Sequence, residues 1–338
     1  MGLLKSNLIT LAGGVSTPTV DPTLALDLEF SSMTALPASI TFARASIGTY
    51  FDKDGVLQTA LSGEARFDHD PSTLEPLGLL IEGLRTNSLL NSAALGTQNV
   101  TVTAASWTLS FYGTGSVALS GVYTGTLVSA GAYPARAALT FTPTAGTLTL
   151  TPTGSVTNVQ LERGSFPTSY IPTTTVAVPR QGDDARMTGV NFSSWYSAAA
   201  GTFVLDFTPS QVGATAPLYI VDDATNYIRA YQSGVNVATQ ALQSSVLVAV
   251  MVTTSPALVA QNHYKHACTH ETNRFQVALN GVLPAVVTAG SAQSANGMRL
   301  GFAGGVGGDA GYGCSTIASL KFFNIAKSDA ELIELTTP

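Results

Sequence analysis

Apolar residues recur at every second position in short runs along this chain, and glycine, proline, asparagine and aspartate separate one run from the next. In TFVLDF (202–207), Phe203, Leu205 and Phe207 fall on one side and Thr202, Val204 and Asp206 on the other. Side chains alternate across an extended strand, so this spacing predicts a strand with one face on a core. GTLTLTP (146–152) and RFQVALNG (274–281) repeat the pattern. Such runs, punctuated by turn residues, predict an all-β protein built of β-sandwich modules. One helix is expected, in SDAELIEL (328–335). Ser328 can cap it, and Glu331 three residues later can complete a capping box.

Shifts in composition divide the chain. Residues 1–25 form a Gly/Thr/Pro-rich arm, and 26–95 a β-rich connector holding the densest cluster of charge. Residues 96–172, almost without charge, read as a small sandwich, and 173–184 (TTTVAVPRQGDD) as a linker. The remainder, 185–338, is long enough for a jelly-roll sandwich closed by the short helix.

Several function classes are excluded. The apolar run VLVAVMV (246–252) falls far short of the ~20 residues a spanning helix needs, and its β-branched content predicts a buried strand. The N-terminal MGLLKSNLITLAGG is a poor secretory signal. Fifteen Lys and Arg face 21 Asp and Glu, with no basic run, which argues against a nucleic-acid partner. Two cysteines, Cys268 and Cys314, make no disulfide framework and are expected as buried thiols. No cofactor is implied. Gly305, Gly307 and Ala310 have dinucleotide-fingerprint spacing, but a β-like run follows where a helix is required. FDKDGVL (51–57) lacks the further ligands of a calcium loop and predicts a hairpin turned on Asp-Gly.

Three longer stretches resemble tailed-bacteriophage virion proteins. They are ITFARASIGTYFDKDGVLQTA (40–60), ARFDHDP…EPLGLLIEGLRTNSLLNS (65–92) and VQLERGSFPTSYIPTTTVAVPRQGDD (159–184). They carry a Phe-x-Arg-x-Ser segment, a Gly-Leu-Leu-Ile-Glu segment, an Arg-Thr-Asn segment and a Glu-x-Gly strand exit. The C-terminal part is similar to concanavalin A/laminin-G-like domains, in HYKHACTHETNRFQVALNG (263–281), with its Asn-Gly turn, and in LGFAGG…GYGCSTIASLKFFNIAKSDAELIELT (300–336). The resemblance implies a structural protein of the virion surface, either a tail fibre or spike or a head decoration or head fibre. It also implies a homo-oligomer, often a trimer, docked on other virion proteins, with lectin-like domains that contact host glycans.

Three clusters could carry chemistry. The densest charge in the chain lies in 65–92, with Asp68, His69, Asp70, Glu82 and Arg85. A glycosidase needs two carboxyls about 5–10 Å apart across a cleft. Asp70 instead sits in turn chemistry, where aspartate bonds the local backbone. Asp68, Asp70, Glu82 and Arg85 are therefore read as a structural connector, with Arg85 as its anchor. His266, Cys268 and His270 share one face of a strand and are zinc-type ligands. Their spacing of about 7 Å is too wide for one ion without bending, which makes metal the weaker alternative. The resemblance makes Cys268 an inward core residue. Finally, VDDATNYIRAY (221–231) offers Asp222, Asp223, Asn226, Tyr227 and Tyr231, and the glycine-rich loop adds Tyr312. Carboxylates and amides bond sugar hydroxyls while aromatic faces stack on sugar rings, so these six form the candidate glycan site, with an ordinary hairpin as the plainer reading because such residues are common at turns. No catalytic residue is assigned.

Overall fold

The computed structural model describes residues 21–212, 216–222, 226–284, 286–288, 290, 295–301 and 314–338, with the backbone alone for 216–222. The chain is laid down in three passes. The first comprises β1 (Leu24–Leu28), β2 (Thr41–Ala43), β3 (Gly48–Phe51), β4 (Leu57–Ala60), β5 (Phe67–His69), β6 (Pro76–Ile81) and β7 (Arg85–Asn87). The second comprises β8 (Gln98–Val102), β9 (Trp107–Tyr112), β10 (Ser116–Gly121), β11 (Gly125–Val128), β12 (Arg136–Phe141), β13 (Gly146–Thr153) and β14 (Thr157–Arg163). The third opens with β15 (Val178–Arg180), β16 (Asp184–Thr188), α1 (Val190–Ser193), β17 (Ala200–Pro209), β18 (Ala216–Asp222) and β19 (Tyr227–Ser233). It closes with β20 (Asn236–Gln243), β21 (Val246–Thr253), β22 (Tyr264–Glu271), β23 (Arg274–Leu279), β24 (Gly297–Leu300), β25 (Ser315–Phe323) and α2 (Asp329–Thr336).

Strand pairing crosses the boundaries that composition suggests. One seven-stranded sheet runs β23-β22-β17-β25-β6-β5, with β1 also paired to β25, and a second runs β2-β16-β24-β18-β19-β20-β21. Strands of the first pass thus complete both sheets of the C-terminal sandwich. The second pass folds separately, as a four-stranded sheet (β11-β10-β13-β8) against a three-stranded one (β12-β9-β14). The chain leaves the large sandwich through β7 and returns through β15, and these two pair antiparallel, Arg85 opposite Arg180. The middle sandwich is therefore an insertion on a two-stranded neck, and the expected linker 173–184 supplies half of that neck.

Each sandwich has its own core. Phe203, Leu205, Phe207, Met298, Leu300 and Ile317 fill the space between the large sheets. Leu109, Phe111, Val117, Leu148, Leu150 and Leu161 do the same in the insertion. The other face of β17 is covered as well, because Leu332 of α2 packs with Val204, Ala267, Ala278 and Phe323. Helix α2 carries the expected capping box between Ser328 and Glu331. Asn280 and Gly281 both have positive φ between Leu279 and Val282, the geometry an Asn-Gly hairpin turn requires. The Asp-Gly turn also forms, with Asp52 accepting the Asp54 and Val56 amides at 3.0 and 2.9 Å. The run 246–252 is a strand, as its residues predict, but an edge strand rather than a buried one. Ala249 and Met251 face the core, while Leu247, Val250 and Val252 are exposed.

Candidate functional site

The charge cluster of 65–92 closes the base of the neck. Glu82 follows β6 directly, and its carboxylate accepts from Arg66 and Arg180, each at 2.7 Å. The Ser169 hydroxyl donates to the same oxygen at 2.6 Å, and the Ser169 amide to the other at 2.8 Å. Asp183 takes Arg44 at 3.0 Å and Arg66 at 2.5 Å. The two acids are tied to each other, Glu82 N donating to Asp183 Oδ2 at 2.8 Å. Backbone carbonyls of Ser46, Thr49, Leu61 and Gly83 take further guanidinium donors. Burial alone would raise the Glu82 carboxyl, but Arg180 and Arg66 outweigh it and hold it down to about 2. Residues of the first pass, of the segment leaving the inserted sandwich and of the third pass meet here. The side chains of all three arginines are completely buried.

The expected connector residues divide. Glu82 is the hub of the network. Asp70 caps its own turn, accepting the Ser72 and Thr73 amides at 2.7 and 2.9 Å. Asp68 lies under the β3–β4 hairpin, accepting the Phe51 amide at 2.7 Å, and burial pushes its carboxyl up to about 7. Arg85 lies over the Phe166 ring and donates to Leu84 O, with Glu162 3.7 Å away. The anchoring expected of Arg85 falls instead to Arg44, Arg66 and Arg180. Asn87, at the end of the Arg-Thr-Asn segment, is wholly buried and bonds the backbone of Val159, Ile171, Leu89 and Leu161. Sequence reasoning passed over Arg44, Asn87, Arg180 and Asp183. Their only signal was membership of the segments that carry the resemblance.

The described candidate glycan residues lie at or beside strands β18 and β19 of the second large sheet. Asp223 and Tyr312 fall outside the described residues, and Asp222 is described by backbone alone, paired with Tyr227. Asn226 accepts the Ser244 amide at 2.9 Å and so braces the neighbouring β20–β21 turn. Ile228 and Ala230 of β19 are buried in the cores, which turns Tyr227, Arg229 and Tyr231 to the opposite face, half-buried. The Arg229 guanidinium lies 4.8 Å from the Tyr227 ring centre and 5.0 Å from that of Tyr231. Gln240 on β20 accepts from Arg229 Nε at 3.0 Å and from one terminal nitrogen at 2.6 Å. Arg186 of β16 and Arg299 of β24 stand in the same cross-strand row. Asp184 pairs with Arg186. The structure thus keeps both tyrosines together and adds Arg229 and Gln240. Period-two alternation in Tyr-x-Arg-x-Tyr could have placed Arg229 between the rings.

The histidine strand is β22, paired between the edge strand β23 and β17 in the first large sheet. His266 Nε2 lies 3.1 Å from Thr239 Oγ1 of the facing sheet, and His270 Nε2 lies 3.0 Å from Ser197 O. Cys268 is buried among Ile228, Phe275 and Val277. Burial lowers the imidazoles to about 3 for His266 and about 4 for His270. Among the described residues no three His, Cys, Asp or Glu side chains come together at metal-binding range.

No protein-family model matches the chain, and no curated protein matches it. Among solved structures, the carbohydrate-binding module CBM40 of Ruminococcus gnavus IT-sialidase, bound to α2,3-sialyllactose, is similar at 16% identity and a TM-score of 0.35. The match covers 42% of this chain and 84% of that one. Domain 4 of AbnA, a GH43 arabinanase of Geobacillus stearothermophilus in complex with arabinotriose, is similar at 13% identity and a TM-score of 0.36, over 46% of this chain and 73% of that one. The K499G mutant of NanB sialidase from Streptococcus pneumoniae gives 12% and 0.38, over 44% and 26%.

Proposed function

We propose that this chain is a non-catalytic, glycan-binding structural protein of a tailed-bacteriophage surface, in which a rigid β scaffold presents one sheet face to acidic sugars. The observation that carries the binding is Arg229, held over Tyr227 and Tyr231 and fixed by Gln240. An arginine already oriented this way loses little further freedom when it meets a carboxylate. Its second terminal nitrogen has no hydrogen-bond partner among the described residues. The tyrosines beside it supply apolar surface for a sugar ring.

The test is a glycan array probed with the full chain, comparing carboxylated with neutral sugars. Binding is expected on carboxylated sugars and should weaken at least tenfold in Arg229→Gln, roughly the loss of one charge-assisted bond. Unchanged binding by that variant, or none by the native chain at high sugar density, would refute the reading.

The virion setting rests on the sequence resemblance. Its support is that Arg44, Ser46, Glu82 and Asn87, drawn from the segments that carry the resemblance, are the residues the buried neck uses. Homo-oligomerisation would let weak individual contacts act together through effective concentration. A monomer mass in sedimentation equilibrium would remove that part of the reading.

A further inference from the structure

Where the β3–β4 hairpin, the inserted sandwich and the first large sheet meet, a cavity of about 210 Å³ runs from the surface inward. Gln261 on its lining is exposed, whereas Thr316 of β25 is only 4% exposed. At about 30 Å³ each, roughly seven waters would fill it. It is smaller than the roughly 300–1,000 Å³ of drug-sized pockets.

Its walls carry unmatched hydrogen-bonding capacity. The Thr316 hydroxyl is buried with no partner, although buried hydroxyls normally find one. Arg136 lies with its guanidinium 5.5 Å from the Tyr112 ring centre and gives its terminal nitrogens to Thr168 O and Ser110 Oγ. Its Nε is buried and unpartnered. Asp68 also lines the space, with its carboxylate bonded to the Phe51 amide. The lining thus combines a carboxyl, a spare hydroxyl, a spare N–H and an aromatic surface. Glu82 is already paired with Arg66 and Arg180, and Asp70 is bonded to the amides of its own turn, which leaves Asp68 and Arg136 as opposite charges on the lining and disfavours a ligand of either net charge. Hydroxyl groups donate and accept alike, so they can match such a mixed wall.

We propose that this cavity is a second binding site, for a small neutral polyhydroxylated molecule no larger than a single sugar ring. Thr316, Asp68 and Arg136 provide its hydrogen bonds and Tyr112 its apolar wall. The site is separate from the Arg229 face and does not depend on it.

The experiment is saturation-transfer NMR on the full chain, with free hexoses, free pentoses and glycerol as probes, repeated on Thr316→Val and Arg229→Gln. Removing an unpartnered buried hydroxyl leaves the fold as stable or more so, which a thermal melt verifies. At least one probe should bind, roughly three- to tenfold more weakly in Thr316→Val, the loss expected for one hydrogen bond. Arg229→Gln should leave that binding unchanged. No transfer to any probe, or equal binding by Thr316→Val, overturns the proposal and leaves the acidic-glycan reading untouched.

Discussion

At the scale of single residues, the buried carboxylate and the buried histidines make the same demand on pH, one because it is held ionised and the others because they are held neutral. Glu82 is held ionised, so its contribution to stability is present above the unfolded carboxylate range and is lost as pH falls toward about 2. His266 and His270 are held neutral, so the unfolded chain takes up their protons first, below about 6.5. Stability should therefore fall as pH drops, by roughly 2 kcal/mol for each histidine between pH 7.5 and 5. Urea unfolding at the two pH values measures this, and His266→Gln should remove about half of the histidine-dependent part. Glu82→Gln should cost about 3–5 kcal/mol, because it leaves Arg66 and Arg180 buried beside a neutral partner. Arg85→Ala, whose ion pair spans 3.7 Å on a partly exposed side chain, should cost about 1 kcal/mol or less in the same assay. A larger loss from Arg85→Ala than from Glu82→Gln would reverse the assignment of the anchor. Charge density in 65–92 made Glu82 visible in the sequence. Arg44, Arg180 and Asp183 were not legible, because nothing local distinguishes an arginine whose partner lies 139 residues away.

At the scale of elements, what was legible is what a short window contains. Period-two alternation predicted the strands, Ser328 and Glu331 the helix start, and Asp-Gly a hairpin. The exposure of β21 was not legible, since VLVAVMV is apolar on both faces and periodicity cannot say that one face looks outward. Close approach between elements is likewise silent in sequence. Gly78 of β6 has φ +95°, and a Cβ there would come within 2.2 Å of Ile317 O on β25. Gly78→Ala should therefore destabilise by about 2–4 kcal/mol, through a strained dihedral and a forced separation of the two strands. Chemical denaturation measures it, and a cost below about 0.5 kcal/mol, typical of a neutral surface change, would show that β6 and β25 do not meet so closely.

At the scale of the whole molecule, the order of modules along the chain differs from their order in space. β1, β2, β5 and β6, all before residue 82, belong to the same two sheets as strands after residue 183, and the middle sandwich hangs from β7 and β15. Three-residue strands with distant partners leave no compositional trace, so the sequence showed the modules but not the nesting. The central claim is that the buried neck makes both sandwiches one rigid scaffold. Spin labels on Val128→Cys of the insertion and Val246→Cys of the large sandwich, both well exposed, would report on it by double electron–electron resonance. Cys268 and Cys314 are buried and should remain unlabelled. The account predicts one narrow distance distribution that broadens in Glu82→Gln; a broad distribution in the otherwise native chain would contradict it.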